Sequence, residues 1–325
     1  MKTNIKLLIL IIICFLIIII SPFIGANNIN YANIFTKGSV DNFIFFSSRL
    51  QRLLADILTG GILALSGLVF QSIFKNPIAT PYTLGVASGA SLGAALFVIS
   101  GSYSSMFSFF GSTFFAMAGG IFSILLVYGI SSIKGRLHTN TLLLAGVAIN
   151  FFSSALIMFI QYFANPEKSY KITRYMIGST ANITLENIIL MLIVTFIFFI
   201  VVYSFHKELD ILAIGAPVAH SRGVNITFTI TILYFTVSLA IAVVTAAAGP
   251  IGFVGMMIPH IIRILISSLN KILIPATFLA GGAFLSICDS AARVITAPAE
   301  LPVAIITSLL GAPFFIYLIV KGNKI

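Results

Sequence analysis

Apolar runs about as long as a bilayer is thick recur along the whole chain, separated by short polar breaks. A hydrocarbon core about 30 Å deep takes roughly 20 helical residues to cross. Ten runs of that order are legible, at 5–24, 53–74, 83–100, 109–133, 141–163, 188–205, 226–248, 252–267, 272–291 and 302–320. Strands of an outer-membrane barrel alternate over about ten residues and do not stay apolar for twenty. The pattern therefore predicts an all-α fold, a polytopic membrane helical bundle of about ten spans forming a single transmembrane domain over 1–325. The first run follows Lys2 and Lys6 as a secretory signal would. It lacks a convincing small-residue cleavage site and nine spans follow, so it reads as an uncleaved first helix.

Composition agrees: 59% of residues are hydrophobic and 8% charged, too apolar for one soluble core. The net charge of +10 would suggest nucleic acid in a soluble protein, but here the basic residues flank the spans, and sidedness explains them without a nucleic-acid partner. With both termini in the cytoplasm, Lys2, Lys6, Lys75, Lys134, Arg136, Lys207, Arg222, Lys271, Lys321 and Lys324 fall inside. Lys37, Arg49, Arg52, Lys168, Lys171, Arg174 and Arg293 fall outside, a shallow bias in the expected direction. Cys14 and Cys288 both lie in apolar runs, so neither a disulfide framework nor a thiolate metal site is indicated.

The stretch "LGVASGASLG" at 84–93 has the glycines of a phosphate-binding loop, yet no Gly-Lys-Ser or Gly-Lys-Thr occurs in the chain. Gly85-x-x-x-Gly89 with Ala90, Ser91, Gly93 and Ala94 instead presents a small-residue face on a packed helix. The preceding helix does the same with Gly60, Gly61, Ala64 and Gly67.

Charges near the spans have structural readings first. Asp56 lies four residues after Arg52, and Asp289 four before Arg293, the spacing at which side chains on one helix face meet, so each acid is expected to pair with its arginine near the outer boundary. Glu300 precedes Leu301-Pro302 at the start of the last helix, where a carboxylate meets the positive end of the helix dipole. Pro259 should bend the eighth span, and His260 and Arg263 point roughly to one side of it. His138, His206 and His220 fall in cytoplasmic loops and offer His260 no partner for a metal. No catalytic constellation, cofactor site or metal cluster is legible.

"RLQRLLADILTGGILALSGLVFQSIFKNPIATPYTLGVASGAS", 49–91, resembles the pattern of the FecCD family of ABC-importer permeases: Arg-Leu-x-Arg, a small-residue helix ending in Gln, then Asn76-Pro77 and Leu-Gly-x-x-x-Gly-Ala. Further blocks match in order: "LLLAGVAIN" at 142–150, "LDILAIGAPVAHSRGV" at 209–224, "AGPIGFVGMMIPHIIR" at 248–263 and "CDSAARVITAPAELPVAIITSLLGAPFF" at 288–315. Two departures are Tyr175, where the family usually has Trp, and Asp56, where it usually has an apolar residue.

The resemblance implies a type II ABC importer permease fold in a bacterial cytoplasmic (inner) membrane. It also implies a transport subunit that performs no chemistry, with ATP hydrolysed by a separate cytoplasmic subunit. An extracytoplasmic binding protein delivers cargo, and a second permease subunit, identical or related, completes the pathway. The expected cargo is an iron(III)-siderophore or related metal chelate, with haem or cobalamin as alternatives. An ion-gradient-driven secondary transporter is the competing class, but it would place its charged or broken-helix site near the midplane.

Carried over by position, Arg49, Arg52 and Arg293 match the residues that dock the binding protein. Leu209, Gly215, Ala219, Arg222 and Gly223 fall in the segment that couples to the ATPase, and Thr139 and Asn140 at the tip of the loop that gates the cytoplasmic side. Asn76, Pro77, Gly85, Gly89, Pro259, Asp289 and Glu300 are expected to be structural.

Overall fold

The computed structural model of the chain describes residues 3–25, 29–77, 79–100, 108–132 and 139–322. Lys2, Lys134, Arg136, His138 and Lys324, all assigned to the inner side above, lie outside the described residues. No strand occurs among the described residues. The helices are α1 (Thr3–Ile20), α2 (Val40–Phe43), α3 (Leu50–Phe74), α4 (Val86–Ser100), α5 (Ser108–Ser132), α6 (Thr139–Phe163), α7 (Pro166–Ile177), α8 (Leu185–Ser204), α9 (His206–Ile214), α10 (Ala216–Ser221), α11 (Ile226–Ala248), α12 (Val254–Leu265), α13 (Asn270–Ile295) and α14 (Val303–Gly322). By length and composition seven helices can cross a membrane; Val86–Ser100, Val254–Leu265 and Val303–Leu318 are apolar but shorter. Together these correspond to the ten predicted runs.

The most apolar window of the span containing α3 is 89% buried, against 17% for that of α1 and 22% for that of α6, so α3 is the central helix. Lipid tails are as apolar as leucine, so such a helix is held by close packing. Small residues permit it. A methyl group at Gly60 would overlap the Gly281 carbonyl of α13, and one at Gly67 would overlap Gly255 of α12. Likewise, α4 meets α5 where Gly93 lies on the Phe115 carbonyl and Gly119 on that of Gly89. Gly85 plays a different part from the helix-face role expected of it. It closes the 3-10 turn Pro81–Leu84 ahead of α4 at φ +79, a left-handed conformation that glycine adopts without steric cost.

Pro259 lies inside α12, which continues through it. Proline has no N–H to give the carbonyl four residues back, here that of Gly255. Gln71, near the end of α3, fills the gap: its Nε2 donates to the Gly255 and Met256 carbonyls, both at 3.3 Å.

Helix α7 escaped the search for apolar runs because it is polar. Its signals are local: the Asn165 side chain accepts from the Lys168 N–H, Pro166 occupies the first turn, and Glu167 pairs with Lys171 at 2.7 Å. The Lys171 ammonium holds the exposed Glu167 carboxyl below its ordinary range.

Candidate functional site

Polar side chains converge at both ends of the α3–α13 pair. At one end Asp289, fully buried, holds two arginines, one on each oxygen. Its Oδ1 lies 2.8 Å from Arg52 Nε and 2.6 Å from Nη2, and its Oδ2 lies 3.0 Å from Arg293 Nε. Arg52 also reaches Glu300 Oε2 with Nη1 at 2.5 Å. Arg49 donates from Nη1 to the Pro22 carbonyl at 3.1 Å, and Gly25, lacking a side chain, leaves room for its guanidinium. The three arginines, with Ser48 and Glu300, line one polar cavity of about 80 Å³.

Several expectations change here. The Asp289–Arg293 contact forms at its i,i+4 spacing, but the Arg52–Asp56 pair does not. Asp56, completely buried, accepts from Thr180 Oγ1 at 2.6 Å, while Arg52 turns to the neighbouring helix. Two acids compete for Arg52, and those arriving from α13 and the segment after it can approach end-on. Glu300 does not cap α14 either, because its carboxylate is taken by Arg52 and the helix begins at Val303. Arg49, Arg52 and Arg293, expected to project outward, are only 6%, 8% and 3% exposed.

At the opposite end α9 and α10 form a short hairpin against the bundle. Asp210 Oδ1 accepts from both the backbone N–H and the side-chain amide of Asn270, at 2.9 and 2.8 Å, and so caps α13 from another element. Leu209 and Ala219 are fully buried within the chain itself. Ala219 therefore packs inward and does not offer its methyl to a partner. The outward residues are Ile214, Pro217, Val218, His220 and Arg222. Gly223 turns the chain at φ +74 on its way into α11, and Gly215 joins the two helices.

Lys75 ends α3 in the left-handed conformation. Asn76 and Pro77 then line an open cavity of about 470 Å³ together with Gln71, His260 and Arg263, so His260 and Arg263 do share a side. Among the described residues no group of three His, Cys, Asp or Glu could hold a metal ion. Thr139 and Asn140 are not loop residues but the first residues of α6, with Asn140 exposed; residues 133–138 before them lie outside the described residues.

The likeness of this many-helix bundle to known structures is specific. The chain superposes with a TM-score of 0.86 on a solved structure described as an inward-facing conformation of a candidate metal-chelate type ABC transporter, at 29% identity and covering 98% of this chain and 100% of that one. The class is thus the permease subunit of an ABC importer. The chain belongs to the FecCD transport family, whose profile matches residues 10–321. A Methanocaldococcus jannaschii protein named as a candidate ABC transporter permease is 36% identical over 299 residues, 87% of this chain and 83% of that protein. The vitamin B12 import system permease BtuC of Escherichia coli is 34% identical over 277 residues, 85% of this chain and 83% of that protein.

Proposed function

We propose that this permease carries a bulky metal chelate, an iron(III)-siderophore, across a bacterial cytoplasmic membrane, driven by ATP hydrolysis in a separate cytoplasmic subunit. The observation that carries the cargo class is the full-length likeness to a structure described as a candidate metal-chelate type transporter. In this reading the α9–α10 end faces the cytoplasm and the arginine end faces the delivery side. Ile214, Val218 and Arg222, exposed on the hairpin, meet the ATPase, with Leu209, Gly215 and Ala219 shaping that hairpin from within and the exposed Gly223 turning the chain beyond it.

The polar cavity between Arg49, Arg52 and Arg293 receives acidic side chains of an extracytoplasmic binding protein. Burial does not oppose this, because all three residues line the cavity and a guanidinium–carboxylate hydrogen bond is stronger than a neutral one. Thr139 and Asn140, at the start of α6, lie beside the axis of a permease pair and close the cytoplasmic side.

A second cargo, cobalamin, is favoured by the relatedness to the vitamin B12 permease. Uptake into vesicles holding this chain, its ATPase and its binding protein separates the two. Radio-iron on a hydroxamate siderophore should accumulate with ATP and resist competition by excess cyanocobalamin. Accumulation of cyanocobalamin with exclusion of the siderophore would overturn the iron reading and leave the permease class standing.

A further inference from the structure

Of the groups around Arg52, one is held differently from the rest. Asp289 is fully buried and serves two arginines, whereas the Glu300 side chain is 40% exposed. An ion pair with one partner in solvent is held weakly, and one buried on both sides is not. Beside it lies the 80 Å³ cavity, the space of two or three waters at roughly 30 Å³ each and enough for a carboxylate group, not a chelate. Arg293 Nη1, buried at that end, has no hydrogen-bond partner among the described residues. The site is therefore built for one more carboxylate than the chain keeps there permanently.

Glu300 belongs to the connection between α13 and α14. Among the described residues two backbone bonds tie that connection and the start of α14 to other elements: Leu301 N–H donates to the Ala292 carbonyl at 3.1 Å and Ala304 N–H to that of Gly178 at 3.4 Å; the Thr296 Oγ1 bond to the Ala299 carbonyl, at 2.8 Å, stays within the connection and moves with it. Further along α14, Gly311 packs directly against Phe253, the residue at φ +68 that opens α12. Whatever holds Glu300 thus also holds the entry to a helix in contact with the start of α12.

We propose that Glu300 is a displaceable latch. Its carboxylate occupies the Arg52 position that an acidic side chain of the delivery protein takes on docking, and its release frees the α13–α14 connection. The proposal rests on the docking reading given above. It makes Glu300 a competitor of the partner, so neutralising it strengthens docking; a residue that merely held Arg52 in place would weaken docking when neutralised.

The test measures affinity for the binding protein, defined functionally as the one that stimulates ATP hydrolysis by the assembled transporter, in nanodiscs. Glu300→Gln keeps the shape and one acceptor oxygen. If the latch leaves Arg52 free in about one molecule in five, affinity should rise about fivefold. Unchanged or weaker binding overturns the latch. Arg52→Gln, checked for intact assembly with the ATPase, reports on the underlying reading: undiminished binding there overturns docking at the arginines and the latch with it.

A spin label adds an independent readout. Both native cysteines are buried, so Ala299→Cys, at an exposed position, can be labelled in the otherwise native chain. Label motion should increase on docking in the native background and be high beforehand with Glu300→Gln. Motion that is low and unresponsive in both backgrounds contradicts release of the connection.

Discussion

The glutamine at the end of α3 and the proline inside α12 should be energetically coupled, and the size of the coupling follows from the contacts. Gln71→Leu removes both 3.3 Å bonds to the Gly255 and Met256 carbonyls. It leaves the Gly255 carbonyl without a donor, because Pro259 has no N–H to offer, and an orphaned buried acceptor costs about 1–3 kcal/mol. Part is returned, since Gln71 Oε1 is itself buried without a hydrogen-bond partner among the described residues and disappears with the amide. The expected net loss is about 1–2 kcal/mol.

In a Pro259→Ala background the new N–H reaches the Gly255 carbonyl within the helix. Gln71→Leu should then cost less than about 0.5 kcal/mol, giving a coupling near 1 kcal/mol. Reversible unfolding in mixed micelles, measured for the parent, both single variants and the double variant, gives the four free energies. Equal costs of Gln71→Leu in the two backgrounds would refute the reasoning, and would mean that the glutamine holds α3 and α12 together without replacing the proline's missing donor.

Asp289→Ala should destabilise the chain by about 3–5 kcal/mol in the same unfolding assay, because it removes the buried carboxylate that two arginines share, leaving Arg52 with Glu300 alone and Arg293 without an acid among the described residues; a loss below about 1 kcal/mol would show that the ion pairs are not desolvated. Asp210→Ala should cost about 1–2 kcal/mol by uncapping α13, and Asp210→Asn distinctly less because it keeps the accepting oxygen; equal losses would contradict the cap. Ile214→Asp and Val218→Asp should reduce co-purification of the ATPase subunit while leaving the fold intact by circular dichroism, since both side chains face outward; undiminished co-purification would remove the hairpin from that interface.

What the sequence made legible is what depends on a single helix. Runs of about twenty apolar residues mark spans because the bilayer sets their length, and the small-residue faces of α3 and α4 follow from the absence of a hydrophobic drive in lipid. Asp289 and Arg293 meet because they share one helix face.

Choices between helices were not legible. Arg52 could satisfy itself locally with Asp56, and the approach of α13 decides otherwise. Ala219 matched a motif by position, but motif position does not say which face of a six-residue helix turns inward. Glu300 was read as a cap from its place before a helix, where the nearest cation belonged to another element. Helix α7 is amphipathic and polar, so only its Asn-Pro-Glu start could have revealed it.

The central claim, an importer permease powered by ATP, is tested most directly by its energy source. Vesicles carrying this chain with its ATPase and binding protein should accumulate chelate only when ATP is supplied on the ATPase side, and should continue to do so after ionophores collapse every ion gradient. Accumulation by the permease alone, driven by a proton or sodium gradient and indifferent to ATP, would contradict it.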